Sequence, residues 1–235
     1  MSSTQEVGAA ADEADQGAEV VAAPVALAVE PEEDLGAVSC REKQRILICG
    51  HSMVFWAAHQ ARRTRIGSQL GLSDWARVEW QGRRGLRWPG LLPLLFGRRS
   101  GLPPHVLVIH LGGNDLGLMQ GRALSLQVKQ DLQFILRRWP GVLIIWSAML
   151  PRRVWREALH RPAIERARMK ANRAIQKALG EGLGIYLPHP RIRATFADLY
   201  RGDGVHLSAS GNEVFLDDLR QGLRLALSHL WGARA

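Results

Sequence analysis

Cysteine is scarce: the 235-residue chain carries two, Cys40 and Cys49. Two thiols so spaced make neither a disulfide framework nor a zinc site. Cys49 sits in an apolar run and reads as core, and such sparing use fits an intracellular, cytoplasmic setting. Long apolar runs are missing too. The longest reach about ten residues, against roughly 20 needed to span a bilayer. The early apolar patch, Val20 to Val29, follows an acidic start, whereas a secretory leader needs a basic one. No glycine pattern has the spacing of a dinucleotide or Walker fingerprint, which argues against a nucleotide-binding protein. No cluster has metal-ligand spacing, so neither a metal nor a cofactor is expected. Internal repeats are absent as well.

Residues 1–40 lack Lys, Arg and aromatic side chains, and hold nine acidic ones. With little large apolar surface to offset chain entropy, this Ala/Glu-rich stretch is expected to be a disordered tail. Residues 41–235 then form the folded domain. Because all 31 basic residues lie in that body against 13 acidic ones, its formal charge is +18, twice the +9 of the whole chain. Arg outnumbers Lys by 27 to 4. Arg suits bidentate contacts to phosphate, so nucleic acid or an anionic membrane surface is one partner reading. A plain solvated surface is the other, since no RNA-binding signature accompanies the charge.

The body alternates short apolar runs with longer helical patterns. Strands are expected at Arg45–Gly50, Val78–Trp80, His105–Leu111, Val142–Trp146 and Gly184–Leu187. Helices are expected over Met53–Arg63 and Leu91–Phe96, through Leu124, Val128, Leu132, Ile135 and Trp139, and over Pro162–Leu179. A last helix carries Leu216, Leu219, Leu223, Leu227 and Leu230 on one face. Uninterrupted Val/Ile/Leu strands between amphipathic helices signal a parallel sheet covered on both faces. In such folds the sites lie at the carboxyl ends of the strands.

Three polar clusters follow strands or precede the last helix. The first is Gly50-His51-Ser52, where a Ser between strand and helix would stand at the sheet edge near helix amides that favour negative charge. Ser is also a common helix N-cap, and alone that is the simpler reading. Second comes Gly112-Gly113-Asn114-Asp115, in which Asn114 offers a neutral amide donor suited to an oxyanion; the same residues also make an ordinary turn. The third is Asp203-Gly-Val-His206, a carboxylate within one turn of an imidazole it could orient. Together they supply a nucleophile, an oxyanion donor and an oriented base, the set that acyl transfer needs. His105 and His110, flanking a strand, read as satisfied structural residues.

The order Gly-x-Ser, Gly-x-Asn-Asp, Asp-x-x-His over roughly residues 45–230 resembles the SGNH (GDSL-like) serine hydrolases. The resemblance implies a three-layer α/β/α sandwich with a parallel sheet of about five strands in flavodoxin-like order. It makes Ser52 the nucleophile, His206 the base and Asp203 its orienting carboxylate. The oxyanion hole would combine the Ser52 amide, Asn114 and a glycine of Gln81-Gly82-Arg-Arg-Gly85-Leu-Arg87. Gly85 matches the family block better, with Gly82 as the alternative. One departure is His51, where the family usually has Asp. A narrower likeness joins Gly-His-Ser-Met-Val-Phe-Trp, Leu-Gly-Gly-Asn-Asp-Leu, Trp-Ser-Ala-Met-Leu-Pro-Arg-Arg and Asp-Gly-Val-His-Leu-Ser. It is similar to a vertebrate SGNH subgroup that includes esterase-like domains of some LINE retrotransposon first-open-reading-frame proteins.

The activity this implies is hydrolysis of small acyl esters, on ester or lipid-like substrates. An anionic alcohol portion is one reading of Arg83, Arg84, Arg87, Arg152 and Arg153, and a solvated rim the other. The competing function is an inactive SGNH-fold module that binds nucleic acid or anionic lipid through its arginines, with affinity falling steeply in salt.

Overall fold

The computed structural model describes residues 42–97, 102–155 and 160–232. The expected tail, residues 1–40, lies outside the described residues. Five strands, β1 (Gln44–Gly50), β2 (Ala76–Gly82), β3 (Val106–His110), β4 (Leu143–Ser147) and β5 (Ile185–Leu187), form one sheet in the order β2-β1-β3-β4-β5. Every pairing is parallel. The helices are α1 (Ser52–Ala61), α2 (Leu91–Phe96), α3 (Gly121–Arg138), α4 (Arg161–Ala178) and α5 (Ala209–Gly232).

Side-chain alternation along the strands makes two cores. Leu47, Cys49, Leu107, Ile109, Ile144 and Trp146 face α2, α3 and α4. Ile46, Ile48, Val106, Val108 and Ile145 face α1 and α5. Because both faces are covered, the three central strands carry no polar alternation. The result is the three-layer α/β/α sandwich with flavodoxin-like strand order. Burial in the first core drives the Cys49 thiol up to about 12, so it is inert as a nucleophile.

Strand order reverses between β1 and β3, since the chain goes from β1 out to β2 and returns to the far side. A crevice opens at the carboxyl ends beside such a switch point. Gly50 is what lets β1 and β3 run together there. A Cβ on it would lie 2.1 Å from the His110 carbonyl oxygen and 2.7 Å from a Val54 methyl. Neither neighbour can yield cheaply, because one is backbone and the other is fully buried in α1. Gly50→Ala is therefore expected to destabilise the domain by more than about 2 kcal/mol. Gly180→Ala serves as the control, since its Cβ would meet nothing within 4 Å. Denaturant midpoints for the two variants check this; equal midpoints would refute it.

Candidate active site

Ser52 is the first residue of α1, and the residue before it is the cap. The His51 ring accepts the Met53 N–H at Nδ1, 3.2 Å away. With the cap supplied by His51, the Ser52 hydroxyl is free for other work: its Oγ lies 2.9 Å from His206 Nε2. The opposite ring nitrogen, His206 Nδ1, lies 2.6 Å from Asp203 Oδ2. Asp203 Oδ1 accepts the amides of Val205 and His206, both at 2.9 Å. One carboxylate oxygen thus fixes the loop while the other fixes the ring. The loop needs Gly204, whose φ is +64° and whose Cβ would strike Val154 at 2.6 Å. Partial burial works to raise the Asp203 carboxyl, but hydrogen bonds from the His206 ring and the two amides outweigh it and hold it at about 2.

A cleft of about 570 Å³ opens in front of Ser52 and His206, lined also by Gly85 and Asn114. The structure therefore brings all five sequence-selected residues into one place, with Asp203 behind His206. Gly85 has a φ of +71° in the turn after β2. The alternative, Gly82, closes β2 instead; its Cβ would meet the Phe55 amide nitrogen at 2.3 Å, and it is not among the cleft-lining residues. Asn114 Nδ2 donates to the Leu86 carbonyl at 3.0 Å, and its Oδ1 accepts from Arg152 Nη2 at 2.9 Å. That pair of bonds fixes which end of the amide faces which neighbour. A primary amide has two hydrogens, so one N–H of Asn114 is left for a ligand.

The sequence offered Arg152 as one of five arginines for an anionic alcohol portion or a solvated rim, but nothing in spacing linked it to Asn114. Its Nη2 and His51 Nε2 flank Gly113, lying 2.9 Å and 3.4 Å from where a Cβ would stand, and its guanidinium stacks over Trp155 at 4.8 Å. Asp115, next to Asn114, accepts the Trp88 amide with both oxygens at 3.0 and 3.1 Å. That contact ties the β3 turn to the Gly85 turn. Burial raises the Asp115 carboxyl to about 6, against the pull of the Trp88 amide, Arg87 and Arg152.

A second polar line runs beneath the site. Asp218 Oδ2 lies 2.9 Å from His189 Nδ1, His189 Nε2 lies 2.8 Å from Ser147 Oγ, and Ser147 Oγ lies 2.9 Å from His110 Nδ1. A carboxylate only accepts, so His189 donates from Nδ1 and accepts the Ser147 hydroxyl at Nε2. The Ser147 oxygen then accepts from His110. Ser147 is wholly inaccessible, so this Ser-His-Asp order is structural. The His110 ring meets the His51 ring edge-on, with centroids 5.2 Å apart. His110 is thus a satisfied structural residue, as is His105, which accepts the Arg45 amide at 3.0 Å.

These buried rings make stability pH-dependent. Burial, then His189 and Arg152, depress His110 from 6.5 to about 3. Burial lowers His51 and His189 as well. Above pH 6.5 folded and unfolded chains both hold neutral rings. Below it the unfolded chain gains protons that the folded one refuses: His110 removes about 1.4 kcal/mol per pH unit down to about 3, and His51 and His189 act in the same direction. Asp115 has the opposite sign, since its raised value favours the folded state between about 6 and 3.8. Three rings outweigh one carboxyl. Urea midpoints are expected to fall between pH 7 and pH 5; a flat or rising profile would contradict the neutral buried histidines.

Comparison with known proteins places this geometry. No curated protein matches the chain by sequence. Among solved structures, an aryl esterase of M. smegmatis superposes with a TM-score of 0.60 at 16% identity, covering 77% of this chain and 98% of its own. A family 3 carbohydrate esterase of Clostridium thermocellum gives 0.59 at 18%, covering 80% and 99%. A GDSL-like lipase of Bacteroides thetaiotaomicron gives 0.58 at 14%, covering 78% and 89%. At these identities the likeness is one of fold. The family model for GDSL-like lipases and acylhydrolases matches residues 48–214, which run from the end of β1 through β5 and include Ser52, Gly85, Asn114, Asp203 and His206. The chain belongs to the GDSL-like lipase/acylhydrolase (SGNH) family.

Proposed function

We propose that the protein is a serine esterase that cleaves carboxylic esters of short acyl groups. The observation that carries this reading is the continuous line from Ser52 Oγ through His206 to Asp203, at 2.9 and 2.6 Å, opening on a cleft. Ser52 Oγ attacks the ester carbonyl carbon and its proton passes to His206 Nε2. The tetrahedral oxyanion is held by the Ser52 and Gly85 amides and the free N–H of Asn114. As the C–O bond to the alcohol breaks, His206 gives its proton to the leaving oxygen. Water then attacks the acyl carbon, loses a proton to His206, and Ser52 Oγ is released with that proton restored.

His51 does not act as a second base in this scheme. Its Nδ1 is taken by the Met53 amide and its ring is buried and kept neutral, chiefly by desolvation. An imidazole nitrogen accepts that amide as a carboxylate would, so the departure from Asp leaves the cap in place. The inactive-module reading loses its main motive with this, because the departure falls on the cap rather than on the proton path.

Covalent labelling tests the reading. A fluorophosphonate probe is expected to mark the wild type, with labelling abolished in both Ser52→Ala and His206→Ala. Folded wild-type protein that stays unlabelled would overturn it, and salt-dependent binding to RNA and anionic vesicles would then be measured for the inactive module.

A further inference from the structure

The cleft before Ser52 is cationic on one side. Arg84, Arg87 and Arg152 line it, and no Asp or Glu side chain does so among the described residues. Asp203 is held by His206, and Asp115, which feels Arg87 and Arg152, is buried beneath the cleft with both oxygens on the Trp88 amide. Arg152 is committed through Nη2 to Asn114. Arg84 and Arg87 are exposed.

Their loop is anchored. The Arg83 amide donates to the Gly50 carbonyl at 2.9 Å, and the Leu86 amide to the Arg83 carbonyl at 3.1 Å. Leu86 is buried and its carbonyl holds Asn114, while Trp88 is buried and pinned to Asp115. A buried residue on each side of Arg87, and a bonded one before Arg84, fix where both arginines leave the backbone. Both residues line the cleft beside Gly85, at the rim of the oxyanion site. Like charges gathered at the rim of a concave cleft raise the local concentration of an oppositely charged ligand, an effect that salt screens. An ordinary solvated surface would intersperse the two signs, as Arg77 and Glu79 do on the outer strand.

Resting on the esterase reading, we infer that the substrate is an ester carrying a negative charge close to its scissile carbonyl, held by Arg84 and Arg87. The remaining cleft lining, Trp155, Ile164 and Val205, is apolar and suits a short uncharged portion on the other side of the bond. The shared chemistry is an anionic group, carboxylate, sulfonate or phosphate. The acyl half and the alcohol half are its two possible locations.

Three esters separate these. Para-nitrophenyl acetate is neutral, para-nitrophenyl hemisuccinate is anionic in the acyl half, and para-acetoxybenzenesulfonate is anionic in the alcohol half. The quantity read is kcat/KM for each anionic ester divided by that for the neutral one. Relative to wild type, Arg84→Gln/Arg87→Gln is expected to lower this ratio about tenfold for one of the two anionic esters. The ester that responds identifies the half. About 0.5 M NaCl should have a similar effect on the wild type. Arg137→Gln, far away on α3, should leave the ratio unchanged. An unaltered ratio in the double variant for both anionic esters overturns the inference. Should no ester turn over, the esterase reading fails separately, and titration with phenyl phosphate decides the anion site. Binding that weakens about tenfold in the double variant sustains it, and no binding in the wild type overturns it.

Discussion

Replacing Ser52 by alanine is expected to lower ester turnover by about four to six orders of magnitude while leaving the fold intact. The hydroxyl is bonded to His206 Nε2 at the edge of an open cleft. Its removal exposes that nitrogen to water and strips nothing from either core. The helix cap is untouched because His51, not Ser52, accepts the Met53 amide. Unfolding midpoints should therefore stay within about 1 kcal/mol of wild type. This pairing distinguishes the account from a capping role for Ser52, under which stability would drop by about 1 kcal/mol or more and activity would change little. Residual turnover in Ser52→Ala comparable to wild type would sink the nucleophile assignment.

Asp203→Asn should cost about three to four orders of magnitude in kcat, and the reason is a tautomer. Asp203 Oδ1 accepts two backbone amides, so the carbonyl oxygen of an introduced Asn must take that place. Its NH₂ then faces His206 Nδ1, 2.6 Å away in the wild type. An NH₂ can only donate, so Nδ1 must become the acceptor and the proton moves to Nε2. That nitrogen can no longer take the Ser52 proton. The substitution keeps the loop and the ring position while inverting the donor pattern, so far-ultraviolet circular dichroism should not change. Asp203→Ala would also release the Val205 and His206 amides, and should lower stability as well as rate. If Asp203→Asn retained a tenth or more of wild-type kcat, Asp203 would not be orienting the base.

The elements that were plain in the sequence are those whose burial is uniform. β1, β3 and β4 sit in the middle of the sheet, so their runs of Val, Ile and Leu are unbroken. The outer strand β2 was expected only over Val78–Trp80 but spans Ala76–Gly82. Its exposed Arg77 and Glu79 alternate with buried Ala76 and Val78, and the polar half disguises its length. α1 was expected from Met53, yet it begins one residue earlier because a histidine, a less common cap than Ser, precedes it.

The site was legible to the same uneven degree. Ser52, Asn114, Asp203 and His206 stand at strand or helix ends, where sheet topology makes adjacency predictable. Gly85 was one of two glycines until the fold put Gly82 against Phe55. Nothing in the sequence joined Arg152 to Asn114, or linked Asp218, His189, Ser147 and His110. Those contacts bridge residues 29 to 42 positions apart, and no local period marks them. His189, between two prolines, gave no chemical cue at all.

The central claim is that Ser52 becomes acylated during turnover. Its most direct test is an acid quench of wild-type protein mixed with para-nitrophenyl acetate, followed by trypsin digestion and mass spectrometry of the Ile46–Arg62 peptide. The account predicts that this peptide gains one acetyl group, that fragmentation places it on Ser52, and that the gain is absent in Ser52→Ala. An acetyl group on another residue, or para-nitrophenol released from wild type and Ser52→Ala at the same rate, would contradict it.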